Sequence, residues 1–197
     1  MPQKKEPDLL YTFYVELFDV KPVVWRRFSV PGKLTFQELH QVIQVVMGWE
    51  SAHLYRFRYG PLEISRPDLD DFFTADPVHL DARSETLEAL LVEQNDLLTY
   101  HYDFGDDWIH LLRIESISAI GGAISGAIRC QEGARACPPE DIGGPYGYEV
   151  HVKALADVDD PGHDDAVASC GDEFDPEAFD LNHINQELAA RFRKRKK

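Results

Sequence analysis

The stretch Tyr100–His110, YHYDFGDDWIH, decides the fold, because it reads as two β-strands joined by a Phe-Gly-Asp-Asp turn. Aromatic and polar residues alternate on both sides of that turn, which is the pattern of a β-hairpin with two different faces. A turn centred on the Gly-Asp step predicts that His101 lies opposite His110. In this register both imidazoles share one face with Asp103 and Trp108.

Apolar spacing on either side of the hairpin predicts further strands and helices. Four stretches have strand-like alternation: residues 11–17, 23–30, 53–59 and 62–65. Thr35 and Glu38 have the spacing of a helix capping box, and Gly48 is suited to end that helix. Three more segments have helical signals: residues 84–94, residues 148–155 and a segment that starts at Asp175-Pro176. We therefore predict an α+β fold, in which an antiparallel or mixed sheet has helices on one face and is followed by a helical C-terminal segment.

The length of 197 residues is that of one domain with short extensions. We expect a disordered N-terminus at residues 1–10, a single α+β domain at 11–190 and a basic tail at 191–197. Within the domain, residues 11–120 are predicted to be rich in sheet, and residues 121–190 to contain loops and helices.

The chain has the composition of a cytoplasmic protein. Its apolar runs are much shorter than the roughly 18 residues that a membrane span requires, and its N-terminus lacks the apolar core of a signal peptide. The cysteines are few and odd in number: Cys130, Cys137 and Cys170. This usage indicates a reducing compartment.

Charge is distributed unevenly. The net charge is −15, and residues 61–190 contain six Lys/Arg against twenty-nine Asp/Glu. Such an acidic body repels phosphate backbones, so we do not expect it to bind duplex nucleic acid. The segment Arg191–Lys197, RFRKRKK, could contact nucleic acid or an acidic partner. The alternative is a solvated end that complements the dipole of the last helix.

The hairpin carries ligand types suited to a divalent metal. His101, Asp103 and His110 would share one strand face in the predicted register, about 5 Å apart across the strands. The alternative is a polar network in which Asp103 caps the turn and His110 is a hydrogen-bonded core histidine.

A second group of polar residues lies in Cys137–Tyr148, CPPEDIGGPYGY. Glu140 and Asp141 are adjacent carboxylates, Gly143 and Gly144 permit unusual backbone angles, and the following proline can open a helix. The carboxylates disfavour an anion, so this segment is expected to bind a cation or to pack on the sheet as a hydrogen-bonded loop. The chain has no Walker or Gly-x-Gly-x-x-Gly motif, no Gly-x-Ser-x-Gly elbow and no His-Glu-x-x-His helix, and we assign no catalytic residue.

Five motifs occur in order along the chain: PVVWRRFSVP (22–31), GWESAHLYRF (48–57), YDFGDDWIH (102–110), CPPEDIGGPYGY (137–148) and FDPEAFDLNHIN (174–185). Together they resemble the Ri-plasmid ORF-three-like family, which includes TnpR-like passenger proteins of insertion elements. The resemblance runs from about Tyr11 to Leu188. It implies an α+β fold and, in some members, a link to plasmids or transposons, but no established activity. His101 departs from the family pattern, so His110 and Asp103 become the more important residues of the hairpin.

We expect a non-enzymatic binding or accessory module with a protein or small-molecule partner. The hairpin and the second segment would form one surface, made by Asp103, Asp106, Trp108, His110, Glu140, Asp141, Gly143, Gly144 and Tyr148. The alternative is a divalent-metal-dependent hydrolase or nucleic-acid-processing enzyme that uses Asp103, His110, Glu140 and Asp141. A third possibility is a DNA-associated accessory protein that makes contact only through its basic tail.

Overall fold

The structure, a computed structural model, describes residues 7–67, 78–120 and 128–193. The strands in these ranges are β1 (Leu9–Leu17), β2 (Trp25–Pro31), β3 (Tyr55–Tyr59), β4 (Leu62–Ser65), β5 (Val78–Asp81), β6 (Leu97–Tyr102), β7 (Trp108–Ala119) and β8 (Arg129–Ala134). The helices are α1 (Phe36–Met47), α2 (Leu87–Leu90), α3 (Gly144–Leu155), α4 (His163–Cys170) and α5 (Leu181–Arg191).

The strands form one mixed sheet in the order β5-β4-β3-β6-β7-β1-β2-β8. β4 and β5 are parallel, and the other neighbours are antiparallel. This arrangement confirms the predicted α+β class. No helix in the described ranges has the length and apolar content needed to cross a bilayer.

The core lies between α1 and one face of the sheet. Alternate residues of β1 are buried, as its pattern predicts. The α1 helix begins with the predicted capping box of Thr35 and Glu38, and it ends at Gly48, whose φ of 94° is in the left-handed region. Its first residue, Phe36, packs edge-to-face on Phe57 of β3, with ring centroids 5.3 Å apart. Local sequence and core packing therefore specify α1 together.

Two helix predictions are wrong in extent or position. The predicted helix at 84–94 is reduced to α2, because Thr86 is extended and bridges to Thr35, and Leu91 is extended again. Asp175-Pro176 does not begin a helix. The Asp175 carboxylate caps a turn at the N–H of residue 177, and Asp180 provides the N-cap of α5.

The predicted division of the chain also needs correction. Leu9 and Leu10 belong to β1, because pairing with β7 orders part of the segment expected to be disordered. Residues 121–190 contribute β8 to the sheet, where it pairs with β2. Residues 1–6 and 194–197, which include most of the predicted basic tail, lie outside the described residues, and Arg191 ends α5.

The outer edge of β8 is capped by a side chain of α5. Asn185 accepts a hydrogen bond from the Cys130 N–H at 3.0 Å through Oδ1, and its Nδ2 donates to the Cys130 carbonyl at 3.0 Å. The side-chain amide thus replaces one residue of a neighbouring strand. This contact fastens the C-terminal helix to the edge of the sheet and covers one of its free peptide groups.

Replacing Asn185 by Ala should lower the free energy of unfolding by about 1–3 kcal/mol, because two hydrogen bonds to a partly buried peptide are lost. Urea unfolding followed by tryptophan fluorescence measures this change. Asn182→Ala is the matched control, since Asn182 is an exposed residue of the same helix. An equal loss in both variants would contradict the role of Asn185 as an edge cap.

Candidate functional site

The hairpin is formed by β6 and β7, but its register differs by one residue from the prediction. Tyr100 pairs with His110, His101 with Ile109, and Tyr102 with Trp108. The predicted pairing of His101 with His110 is therefore wrong. The connection contains five residues, 103–107, and both its first and last residues have positive φ angles, 54° at Asp103 and 60° at Asp107. A shift of one residue exchanges the faces of one strand relative to the other.

The two histidines consequently lie on opposite faces of the sheet. His110 is completely buried, and its Nδ1 lies 3.2 Å from the carbonyl oxygen of Tyr100. Burial lowers the pKa of His110 to about 3. His101 is on the outer face, where its Nε2 lies 2.6 Å from a carboxylate oxygen of Asp107. The structure does not bring the predicted metal ligands His101, Asp103 and His110 together.

Asp103 has two roles, one for each of its carboxylate oxygens. Oδ1 accepts a hydrogen bond from the Gly105 N–H at 3.0 Å and caps the turn, as the alternative interpretation of the sequence proposed. Oδ2 lies 3.6 Å from Nε2 of His53. The turn thus fixes one carboxylate oxygen and directs the other toward a histidine from a different segment.

His53 is the centre of a cluster of three carboxylates. Besides Asp103, the carboxylates of Glu140 and Asp141 each place an oxygen 3.3 Å from Nε2 of His53. The ligand atoms of His53, Asp103 and Asp141 all lie within 4.8 Å of one another. The Asp141 side chain is 76% exposed, whereas that of Asp103 is 10% exposed. The cluster therefore lies at the surface, with one open side.

The backbone before β3 is held in place by Tyr102. Its hydroxyl accepts hydrogen bonds from the N–H groups of Ala52 at 3.0 Å and His53 at 3.3 Å. The same hydroxyl lies 3.0 Å and 3.1 Å from the two carboxylate oxygens of Glu140, to which it donates. Burial, and then the hydrogen bond to Glu140, raise the pKa of Tyr102. The phenol thus stays protonated and connects His53 with Glu140.

The segment of Glu140 and Asp141 is fastened to the hairpin and to the end of α1 by further contacts. The indole N–H of Trp49 donates to the Pro138 carbonyl at 2.8 Å, and the Gly143 N–H donates to the Asp106 carboxylate at 3.0 Å. Gly144 has a φ of 69°, and a Cβ atom there would lie 2.2 Å from the carbonyl oxygen of Asp106. Only glycine permits this close approach of the two segments.

Trp108 and Tyr148, which the sequence suggested for the same surface, are buried, with 1% and 4% exposure. Trp49 stacks on Tyr102 with ring centroids 5.0 Å apart and contacts Trp108 at 5.8 Å. The rings of Trp49, Tyr102 and Trp108 thus pack together next to the cluster. Trp25 is on the other face of the sheet, stacked on Tyr14.

The distances from Nε2 of His53 to the carboxylates around it are compatible with a divalent-cation site. Metal–ligand distances of about 2.0–2.2 Å imply ligand atoms about 3.0–3.6 Å apart, depending on the coordination geometry. The separations of 3.3–3.6 Å between Nε2 of His53 and the three carboxylates agree with that spacing. The same geometry suits a protonated imidazole shared by three carboxylates. Either a metal ion or a proton can therefore offset the concentrated negative charge.

Sequence reasoning did not single out His53. Its only signal was its position in the motif GWESAHLYRF, where it was assigned to a strand. The structure places it before β3, in a loop where Ser51 has a φ of 62° and donates its N–H to the Gln44 side chain at 2.7 Å. Of the residues that were singled out, the structure brings together Asp103, Glu140 and Asp141 and excludes His110.

Comparisons with known proteins agree on one family. A family model described as plasmid pRiA4b ORF-3-like protein matches residues 10–183. The uncharacterized protein y4hQ of Sinorhizobium fredii (strain NBRC 101917 / NGR234) is 35% identical over 184 residues, which are 90% of this chain and 91% of that protein. A crystal structure of the protein of unknown function MM3350 from Methanosarcina mazei Go1 matches with a TM-score of 0.77 and 33% identity, covering 89% of this chain and 97% of that one.

His110 should make the protein sensitive to acid. Its folded pKa of about 3 lies below the ordinary value near 6.5, so the unfolded state binds the proton first. The free energy of unfolding should therefore fall as the pH drops below about 6.5, by about 1.4 kcal/mol per pH unit for this histidine.

Urea unfolding between about pH 7 and pH 4.5 measures this dependence, and His110→Gln should have the shallower slope. The exposed His183 provides the control variant His183→Gln, which should keep the wild-type slope. Burial also lowers the pKa of His40 to about 3, so part of the slope remains in His110→Gln. Parallel curves for wild type and His110→Gln would be inconsistent with a neutral buried His110.

Proposed function

The chain belongs to the plasmid pRiA4b ORF-3-like protein family, and on that premise we propose that it is a binding module that holds a divalent cation through His53, Asp103, Glu140 and Asp141. The observation that carries the proposal is the position of one imidazole nitrogen 3.3–3.6 Å from three carboxylates. These four residues come from three separate segments. A bound cation would therefore connect the residues before β3, the hairpin and the segment before α3.

The donor set supports a particular class of metal. An imidazole combined with carboxylates suits Mn²⁺, Fe²⁺ or Zn²⁺, whereas Mg²⁺ and Ca²⁺ prefer oxygen ligands alone. Outer hydrogen bonds hold two of the ligands: the Tyr102 hydroxyl donates to Glu140, and the Gly105 N–H donates to Asp103. Such contacts orient metal ligands and increase their affinity.

Local charge favours a binding role over processing of nucleic acids. Three carboxylates exceed the charge of one divalent ion, and Asp106 and the exposed Glu50 add negative charge beside the cluster. A phosphodiester would therefore approach a surface that stays negative after the cation is bound. A neutral or cationic partner fits this surface better.

A metal-dependent hydrolase is the second candidate. It is favoured by the 76% exposure of the Asp141 side chain, because an ion at this position would keep coordination positions open to water or substrate. In this second candidate function, His53 replaces His110 as the histidine ligand, because His110 is buried in the core.

An accessory role in the cytoplasm, in some relatives linked to plasmids or transposons, is part of the same proposal. Support comes from the family description and from the cysteines, since Cys130, Cys137 and Cys170 are free thiols, as in reducing compartments. The TnpR-like label and DNA contact through residues 191–197 stay predictions from the sequence.

Mn²⁺ should bind the purified, tag-free protein with one-to-one stoichiometry in calorimetry and electron paramagnetic resonance titrations. Asp103→Asn, Glu140→Gln and His53→Gln should each weaken binding at least about 10-fold, because each removes a ligand. Glu173→Gln is the matched control, since it removes one exposed carboxylate elsewhere. Binding that is absent in the wild type, or equally strong in Glu140→Gln and Glu173→Gln, would refute the proposed site.

A further inference from the structure

A second cleft lies on the side of α3 that faces the β1–β2 turn, and it is distinct from the proposed cation site. Its volume is about 280 Å³. Basic side chains of Lys21, Arg135 and Lys153 contribute to its wall together with Tyr148. The sequence marked Tyr148 as a candidate functional residue, but the proposed function does not use it.

Two polar atoms in this wall have no hydrogen-bond partner among the described residues: the Tyr148 hydroxyl and Nε of Arg135. Both are shielded from bulk water. A buried hydroxyl or N–H without a partner costs about 1–3 kcal/mol, so native proteins retain few of them. Two such groups beside one cleft point to a ligand that supplies an acceptor.

The charge of the cleft indicates which chemical class of acceptor the ligand provides. Arg135 and Lys153 are two of the six basic residues among residues 61–190, and Lys21 adds a third positive charge to the cleft. Arg135 pairs with Glu177, and Lys153 lies 2.6 Å from Glu149, but both carboxylates are more than half exposed. The Lys153–Glu149 pair is exposed on both sides, and pairs of this kind contribute little stability and can exchange partners. The cleft can therefore present positive charge to an anion.

We propose that this cleft binds a small molecule with a carboxylate group, which accepts hydrogen bonds from Nε of Arg135 and from the Tyr148 hydroxyl. A planar carboxylate matches the guanidinium fork, and Lys21 and Lys153 add attraction from either side. Asp19 and Glu149, which also contribute to the wall, disfavour a more highly charged phosphate. The volume is slightly below the usual range for drug-sized ligands, so the ligand is small.

Binding requires a small movement of the wall, because neither the Tyr148 hydroxyl nor Nε of Arg135 is accessible to water. The exposed pair Lys153–Glu149 can separate at little cost and permits part of that movement. We therefore expect weak, millimolar binding of simple carboxylates, with tighter binding reserved for a ligand that fills the cleft.

The experiment is saturation-transfer NMR on the full chain, with succinate, glutamate and methyl phosphate as separate probes at about 10 mM, a concentration that occupies millimolar sites. Succinate and glutamate should receive saturation from the wild-type protein, and methyl phosphate, whose methyl protons would report binding, should not. The signal should be lost in Arg135→Gln and in Tyr148→Phe. It should be retained in Lys33→Gln, which removes one positive charge from outside the cleft wall.

The thermal unfolding midpoint of Tyr148→Phe is the second measurement. Because the hydroxyl has no hydrogen-bond partner in the described part of the chain, its removal should leave the midpoint unchanged or raise it. A lower midpoint would mean that the hydroxyl already has an internal partner and would overturn the proposal. So would carboxylate signals that persist in both cleft variants, the absence of any carboxylate signal in wild type, or a signal from methyl phosphate alone. Failure of the cation site would affect none of these readouts.

Discussion

The hydroxyl of Tyr102 is the contact on which the rest of the candidate site depends. It accepts hydrogen bonds from two backbone N–H groups before β3, and it donates a hydrogen bond to Glu140 in the segment before α3. This junction joins the backbone of His53 and the carboxylate of Glu140 directly to the hairpin. Tyr102 can make this contact because its side chain lies on the buried face of β6. The five-residue turn that follows it begins and ends with an aspartate in a left-handed backbone conformation.

The parts of the fold that could be predicted are those with strong local signals. The capping box of α1, its terminal glycine and the alternation in β1 each specify backbone conformation within a few residues. The hairpin itself was equally clear, but its register was not. The sequence Asp-Phe-Gly-Asp-Asp contains several residues that tolerate positive φ, so turns of different length are compatible with it. Tertiary burial of Tyr100 and His110 favours one of them.

The candidate site could be predicted only in part, for the same reason. Asp103, Glu140 and Asp141 were recognised as carboxylates in unusual turn sequences. His53 was missed, because its position results from contacts with residues far away in sequence, including Tyr102. The start of α5 is a similar case. Asp175 and Asp180 are both suitable N-caps, but only Asp180 caps α5. A long-range contact beside it accounts for the difference, because Phe179 packs against the buried guanidinium of Arg26, with the ring centroid 4.8 Å from Cζ. That guanidinium donates to four backbone carbonyls, which belong to α1, β2, the end of β8 and the residue after it.

The edge cap provided by Asn185 has a consequence for chemical ageing of the protein. Deamidation would replace the Nδ2 donor by an oxygen, and an aspartate has no proton to offer the Cys130 carbonyl. The two oxygens would then repel each other, and the attachment of α5 to β8 would weaken. A spontaneous change of one side-chain amide would thereby expose an unpaired strand edge, which is the surface through which sheet proteins aggregate.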